Sequence, residues 1–228
     1  MVVINPLIEN TTTLEDIDWK PLLTVHSKRS SVIEISKDNK YLKKTKKRKG
    51  KKRDFEFYNL AFWNILLENY NNTIGTEIHA PTPYISEGRD LVMEYGRGFD
   101  LDRLLRSASI GPKEVEQIMR RMGMLFKIKE NESLIHNDFD LRHILVDGGL
   151  FIIDLENAQY GKEGVKKEND KLIQSINVLY SKSIEEYILE GMNKVPKMRF
   201  LDCTLDSMKS KYGGRAEFYL KNRYRDKK

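Results

Sequence analysis

Cysteine occurs once in the 228 residues, at Cys203, so no internal disulfide framework can brace the chain and a reducing compartment suits it. No apolar run approaches the ~20 residues that a membrane helix needs, and the N-terminal MVVINPLIENTTT lacks the charged start of a secretory signal. These absences point to the cytoplasm. No internal repeat of useful length is present, which sets solenoid architectures aside. Glycine is missing throughout Leu22–Ser36, where Ser30 and Ser31 are adjacent small residues. The remaining composition, 39% hydrophobic and 32% charged, suffices to bury a sizeable core divided between two small lobes.

The charge is one-sided and clustered. Of the net +6, much sits in Lys43–Arg53, with nine basic residues in eleven, and in the segment from Lys209 onward, with eight more. Such runs are ordinarily solvated faces. Two of them, with Tyr219 and Tyr224 nearby, also suit the phosphates and bases of an RNA, or another acidic partner.

The stretch Leu134–Ala158, LIHNDFDLRHILVDGGLFIIDLENA, carries the chemistry. Ile144–Val146 and Leu150–Ile153 are short apolar runs separated by Asp147-Gly148-Gly149, a tight-turn signal, so the segment reads as a β-hairpin. Its closure brings His136, Asp138 and Asp140, before the first strand, towards Asp154 and Glu156, after the second. Carboxylates crowded this way repel one another unless a cation or a transferred proton accompanies them. His136, Asp138, His143 and Asp154 are also a donor set that a metal-dependent hydrolase could use.

His136-Asn137-Asp138-Phe139-Asp140-Leu141-Arg142-His143 lies on the kinase catalytic-loop pattern H-x-D-x-x-x-x-N, and Ile153-Asp154-Leu155-Glu156 on the metal-binding I-D-F-G position. The whole run resembles aminoglycoside phosphotransferases and choline kinases, and is similar to RIO kinases and to the kinase subunit of the tRNA-modifying KEOPS complex. That resemblance implies an ATP phosphotransferase using Mg²⁺, with Mn²⁺ as an alternative. Asp138 would be the catalytic carboxylate and Asp154 a metal ligand, assisted by Glu156 or His143. His143 departs from the family's Asn, and an imidazole suits Mg²⁺ less well than an amide oxygen does. The KEOPS parallel extends to size and a basic C-terminal tail, and suggests tRNA as a partner.

The resemblance further implies a phosphate-covering loop within Leu22–Ser36, where the small Ser30 and Ser31 would let backbone amides approach a phosphate, and then a strand lysine, a helix bearing an inward glutamate, and a hinge, in that order. Ser31–Ile35 and Lys40–Lys43 read as strands joined by a Lys37-Asp38-Asn39 turn. Lys43, following Leu42, is the first choice for the phosphate-binding lysine, and Lys44 is the competitor that alternation alone does not separate. Asp54–Asn69 reads as a helix packed on a sheet, with Glu56 as the lysine's partner or simply as a favourable charge at the helix start. Asp90–Gly98 resembles the hinge, whose backbone near Glu94 and Gly96 would meet an adenine.

A helix from Pro112 through Lys129 is predicted from Val115, Ile118, Met119, Met122, Leu125 and Phe126 at three- and four-residue spacing. Another follows at Asp170–Leu179, where Asp170 is a candidate brace for the catalytic loop or a helix cap. The expected architecture is α+β and two-lobed, protein-kinase-like. An N-terminal extension (1–13) precedes a small antiparallel-sheet lobe (14–95), and a mainly helical lobe (96–228) ends in a basic tail. The tail from Lys221 onward contains no proposed catalytic residue, so its removal is expected to spare ATP binding. A protein Ser/Thr hydroxyl is the favoured phosphate acceptor. A small-molecule hydroxyl is one alternative, and a pseudokinase scaffold or RNA-associated nucleotide-binding module is the other.

Overall fold

The computed structural model describes residues 2–4, 17–22, 31–46, 54–107, 109–180 and 184–224. Its first layer is an antiparallel sheet of six strands, β1 (Val2–Ile4), β2 (Trp19–Pro21), β3 (Ser31–Ser36), β4 (Tyr41–Lys46), β6 (Pro83–Glu87) and β7 (Asp90–Glu94), in the order β1-β6-β7-β4-β3-β2. Val2–Ile4, assigned by sequence to a separate extension, pairs with β6 as an edge strand. The predicted turn closes β3 onto β4. The Ser36 hydroxyl accepts from the Lys40 and Tyr41 amides and donates to Asp38, while Asn39 takes the left-handed conformation at φ 56° that its short polar side chain tolerates.

Helix α1 (Asp54–Ile74) is five residues longer than the sequence suggested and is buried on nearly every side. Phe57, Phe62, Trp63, Leu66 and Tyr70 all fall at or below 1% exposure, because the helix is sandwiched between the sheet and the C-terminal helix α6 (Leu201–Tyr224). A helix apolar all round is expected only where it is covered all round.

A glycine-bearing connection leads from β7 to β8 (Phe99–Asp100) and α2 (Leu101–Ser107). It lies directly on the hairpin formed by β10 (Ile144–Asp147) and β11 (Gly149–Ile152), which joins β8 and β5 (Ile78–His79) in a second sheet. A Cβ on Gly98, whose φ is +99°, would fall 2.2 Å from the Val146 carbonyl oxygen. Glycine there is a packing requirement as well as a conformational one.

Helix α3 (Pro112–Glu132) begins at Pro112, as its sequence predicts, and its first turn is held by Glu114 accepting from the Gly111 amide at 2.8 Å. It crosses α5 (Glu185–Lys194) closely through two glycines. A Cβ on Gly123 would sit 2.0 Å from the Ile188 carbonyl oxygen, and one on Gly191 1.9 Å from that of Arg120. After β9 (Leu134–Ile135), the loop at residues 136–143 and the hairpin comes β12 (Gln159–Tyr160), paired with β9. Only Gly161 then separates it from α4 (Lys162–Leu179). Asp170 therefore lies inside α4, exposed, and caps nothing.

At the far end, buried Glu132 accepts from the Phe200 and Leu201 amides and from the Tyr70 hydroxyl at 2.8 Å, tying α6 to α3 and α1. Gly213, at φ 74° and ψ −174°, breaks α6 in two. No helix among the described residues is long and apolar enough to cross a membrane.

Candidate active site

Strand register decides between the two lysines. Lys44 pairs with Ile33 and Leu91 and shares the inner face with Leu42, Ile35 and Met93, whereas Lys43 pairs with Glu34 on the outer face. The Lys43 ammonium is 2.7 Å from Glu34 and 4.7 Å from the Trp19 ring centroid, away from the acids. The inward lysine is thus Lys44, and the assignment of Lys43 is corrected. Lys44 Nζ lies 2.7 Å from Glu56 Oε1, 2.8 Å from Asp154 Oδ1 and 3.6 Å from Glu156 Oε2. Burial pushes its ammonium towards neutrality, but the attraction of Glu56, Asp154 and Glu156 outweighs this, so its pKa stands above that of ordinary lysine. Asp154 is opposed by burial yet held below the usual carboxylate range, chiefly by Lys44. Burial, and repulsion from Glu56 and Asp154, push Glu156 up despite Lys44.

The loop 136–143 is fixed from beneath. Glu168 on α4 accepts from the backbone amides of His136 at 3.0 Å and Asn137 at 2.7 Å. The brace is Glu168, two residues before the predicted Asp170. Glu168 is held in turn by Lys129 at 2.7 Å, a lysine 1% exposed that also donates to Asn169 and lies 4.0 Å over the Phe139 ring. Sequence reasoning missed both members. A signal did exist for Lys129, which continues the apolar stripe of α3 three residues after Phe126. His136, 1% exposed, places Nε2 3.0 Å from the Ile153 carbonyl and so joins this loop to Asp154. Burial lowers its pKa.

Asn137 and Asp154 both adopt left-handed backbone, at φ 66° and 59°, a conformation costly for most residues and tolerated by Asn and Asp. With those bends in place, the donor atoms of Asp138, His143 and Asp154 lie within 4.8 Å of one another. The other acids go elsewhere. Asp140 receives the Arg142 guanidinium and amide at 2.9 to 3.0 Å, which hold its pKa at about 2. Glu156 groups with Glu56 and Asp154 around Lys44 rather than with His143 and Asp138.

In the segment expected to form the hinge, the Glu94 carboxylate accepts from the Thr82 amide and hydroxyl at 3.2 and 3.0 Å. A Cβ on Gly96 would approach Leu145 and Phe151 at 2.9 Å. Ser31 opens β3 on the same face as Ile33; Ser30 lies outside the described residues, as do Lys47–Arg53 and the last four residues. A concavity of roughly 470 Å³ is lined by Glu94 and Gly96 together with Tyr41, Tyr84, Arg97 and Phe151, and contains none of Lys44, Asp138, His143 or Asp154. Tyr224, considered above for base stacking, is fully buried and stacked on Phe62 at 4.1 Å between centroids.

No family model matches this chain, and no match was found among curated proteins. Solved structures do match. A chain of the yeast RNA polymerase II CTD kinase CTDK-1 complex superposes with TM-score 0.50 at 12% identity, over 81% of this chain and 71% of that one. The fold is protein-kinase-like. Rio2 kinase of Chaetomium thermophilum, solved as an ADP/Mg²⁺-phosphoaspartate complex, matches with TM-score 0.47 at 15% identity, over 87% and 68% of the two chains. The PK-1 kinase of Cydia pomonella granulovirus gives 0.42 at 17% identity, over 62% of this chain and 52% of its own. In this fold β7 leads into the Tyr95–Gly98 connection, Glu56 of α1 meets Lys44 of β4, and the β10–β11 hairpin separates Asp138 from Asp154.

Proposed function

We propose that the chain is an ATP-dependent phosphotransferase acting on a protein Ser/Thr hydroxyl. The observation that carries this reading is Lys44, an inward ammonium held at 2.7 and 2.8 Å by Glu56 and Asp154, beside a cluster in which Asp154 joins Asp138 and His143. A merely structural ion pair needs one acid, whereas this lysine meets three on one side and leaves a second donor set on the other.

The donor chemistry of His143 and Asp154, an imidazole and a carboxylate with Asp138 beside them, fits a divalent cation. Such a cation would neutralise phosphate charge as it develops in transfer. Lys44 would draw on the non-transferred phosphates, with Glu56 keeping the ammonium in place. Ile33 and Leu42 on the sheet side and Leu145 on the hairpin would bracket an adenine, with the backbone of Glu94 and Gly96 at its edge. Asp138 is exposed, and its carboxylate would orient the acceptor hydroxyl and take its proton. That openness favours an acceptor on a protein surface over a small molecule, which ordinarily needs an enclosing pocket.

The test is thermal unfolding with ATP and Mg²⁺ or Mn²⁺. A ligand at 100 times its Kd stabilises the folded state by about 2.7 kcal/mol, so the melting temperature rises for the parent chain and much less for Asp154→Asn. No shift with either metal at millimolar ATP removes the nucleotide-binding reading.

A further inference from the structure

His143 is the point at which the site departs from an all-oxygen magnesium site, and the geometry defines what its ring offers. Nδ1 lies 2.7 Å from the Asp138 carbonyl oxygen. A carbonyl only accepts, so Nδ1 carries the proton and, in the neutral ring, Nε2 carries the lone pair. Nε2 lies 3.6 Å from Asp154 Oδ2. The ring is nearly parallel to that of buried His136, at 8° and 5.8 Å between centroids, and its side chain is 17% exposed. The ring orientation, the proton position and the direction of the lone pair are therefore all set by neighbours.

We infer that His143 binds the nucleotide's divalent cation through Nε2 and biases the site towards Mn²⁺ over Mg²⁺. This rests on the proposed function and adds the cation's identity to it. Magnesium holds to oxygen donors at short, near-octahedral distances, while manganese lies later among the divalent metals that imidazole accepts. The bond to the Asp138 carbonyl is the familiar outer-shell contact that orients a ligating histidine. Here it has a second effect, tying the cation's ligand to the backbone of the residue that faces the acceptor.

His143→Asn is a close test, because the new amide can still donate to the Asp138 carbonyl while presenting oxygen in place of nitrogen. The probe is Mn²⁺ with the non-hydrolysable analogue adenylyl imidodiphosphate, read by pulsed electron paramagnetic resonance. The parent complex should show ¹⁴N modulation from a directly bound imidazole, and His143→Asn should lose it while melting normally. The ratio of Mn²⁺ to Mg²⁺ affinity should fall in the variant by at least the ~10-fold that loss of an outer-shell partner costs. Manganese bound with nucleotide but without ¹⁴N modulation overturns the ligand role and leaves the phosphotransferase reading standing. Failure to bind manganese with nucleotide at all overturns both.

Discussion

At the scale of single residues, the two adjacent lysines of β4 have opposite fates because strand side chains alternate between faces. Lys44→Met should abolish stabilisation by ATP and metal, since it leaves Glu56, Asp154 and Glu156 without their common cation. Lys43→Met breaks a partly exposed pair with Glu34, worth about 1 kcal/mol or less, and should leave nucleotide binding intact. Nucleotide titrations of both variants check this; equal losses would contradict the register. Sequence alone left the pair open because large apolar residues stand at both parities, Tyr41 with Lys43 and Leu42 with Lys44. Pairing with Ile33 and Leu91 decides between them only after the sheet forms.

Lys129 offers a pH test of the loop brace. Burial lowers its pKa to about 8 against the pull of Glu168 and Glu130, with Asn169, His136 and Phe139 also packed around it. Below pH 8 the folded chain keeps the ammonium and its grip on Glu168. Between 8 and the ordinary lysine value the unfolded chain binds the extra proton, so this group's contribution to stability rises with pH while the brace weakens. Catalytic rate should therefore fall above about pH 8 even as this penalty on folding is relieved. Lys129→Arg, whose charge does not titrate there, should move the alkaline limb to higher pH. A limb unchanged in that variant would place its origin elsewhere.

Among the elements, the hairpin and α3 were legible because their signals are local: Asp-Gly-Gly between apolar runs, and an apolar stripe at helical spacing. The contacts of α6 were not. Arg223 donates to the carbonyls of Ala158 and, at 2.9 Å, Glu156; the Tyr224 hydroxyl donates to Asn59, whose amide donates to the Leu155 carbonyl at 3.1 Å. A basic tail thus contains two residues that grip the Asp154 loop and the helix bearing Glu56, across more than 60 residues of sequence, where no local pattern points. Deleting Lys221–Lys228 should not be neutral, contrary to the expectation from sequence. Tyr224→Ala alone should cost about 3–5 kcal/mol, the usual loss for a large buried aromatic, and Arg223→Ala should lower phosphate transfer more than stability. Chemical denaturation and transfer assays separate the two. A stable, fully active chain ending at Leu220 would show that α6 holds nothing in place.

Across the whole molecule, basic runs lie at Lys43–Arg53 and at the C-terminus. An RNA partner such as tRNA remains our proposal for them. Replacing Lys47, Lys49, Lys51 and Lys52 by Ala and deleting residues 225–228 spares Arg223 and Tyr224, so folding and ATP binding should survive. Binding of tRNA should weaken steeply with salt in the parent chain, and the variant should show a flatter slope because fewer counterions are released. A filter-binding titration at several salt concentrations reads both; an unchanged slope would show that these segments do not touch RNA.

In the proposed reaction Asp138 acts on an acceptor hydroxyl beside a nucleotide held by Lys44 and Asp154. The most direct measurement is transfer of radiolabelled γ-phosphate from ATP, with Mn²⁺ and with Mg²⁺, to the chain itself or to a hydroxyl-bearing protein, for the parent and for Asp138→Asn. The account predicts transfer by the parent and a loss of at least about 100-fold in the variant, the scale of a missing proton acceptor, with ATP binding retained. Equal transfer by both, or none by a parent chain that binds ATP and metal, would contradict it.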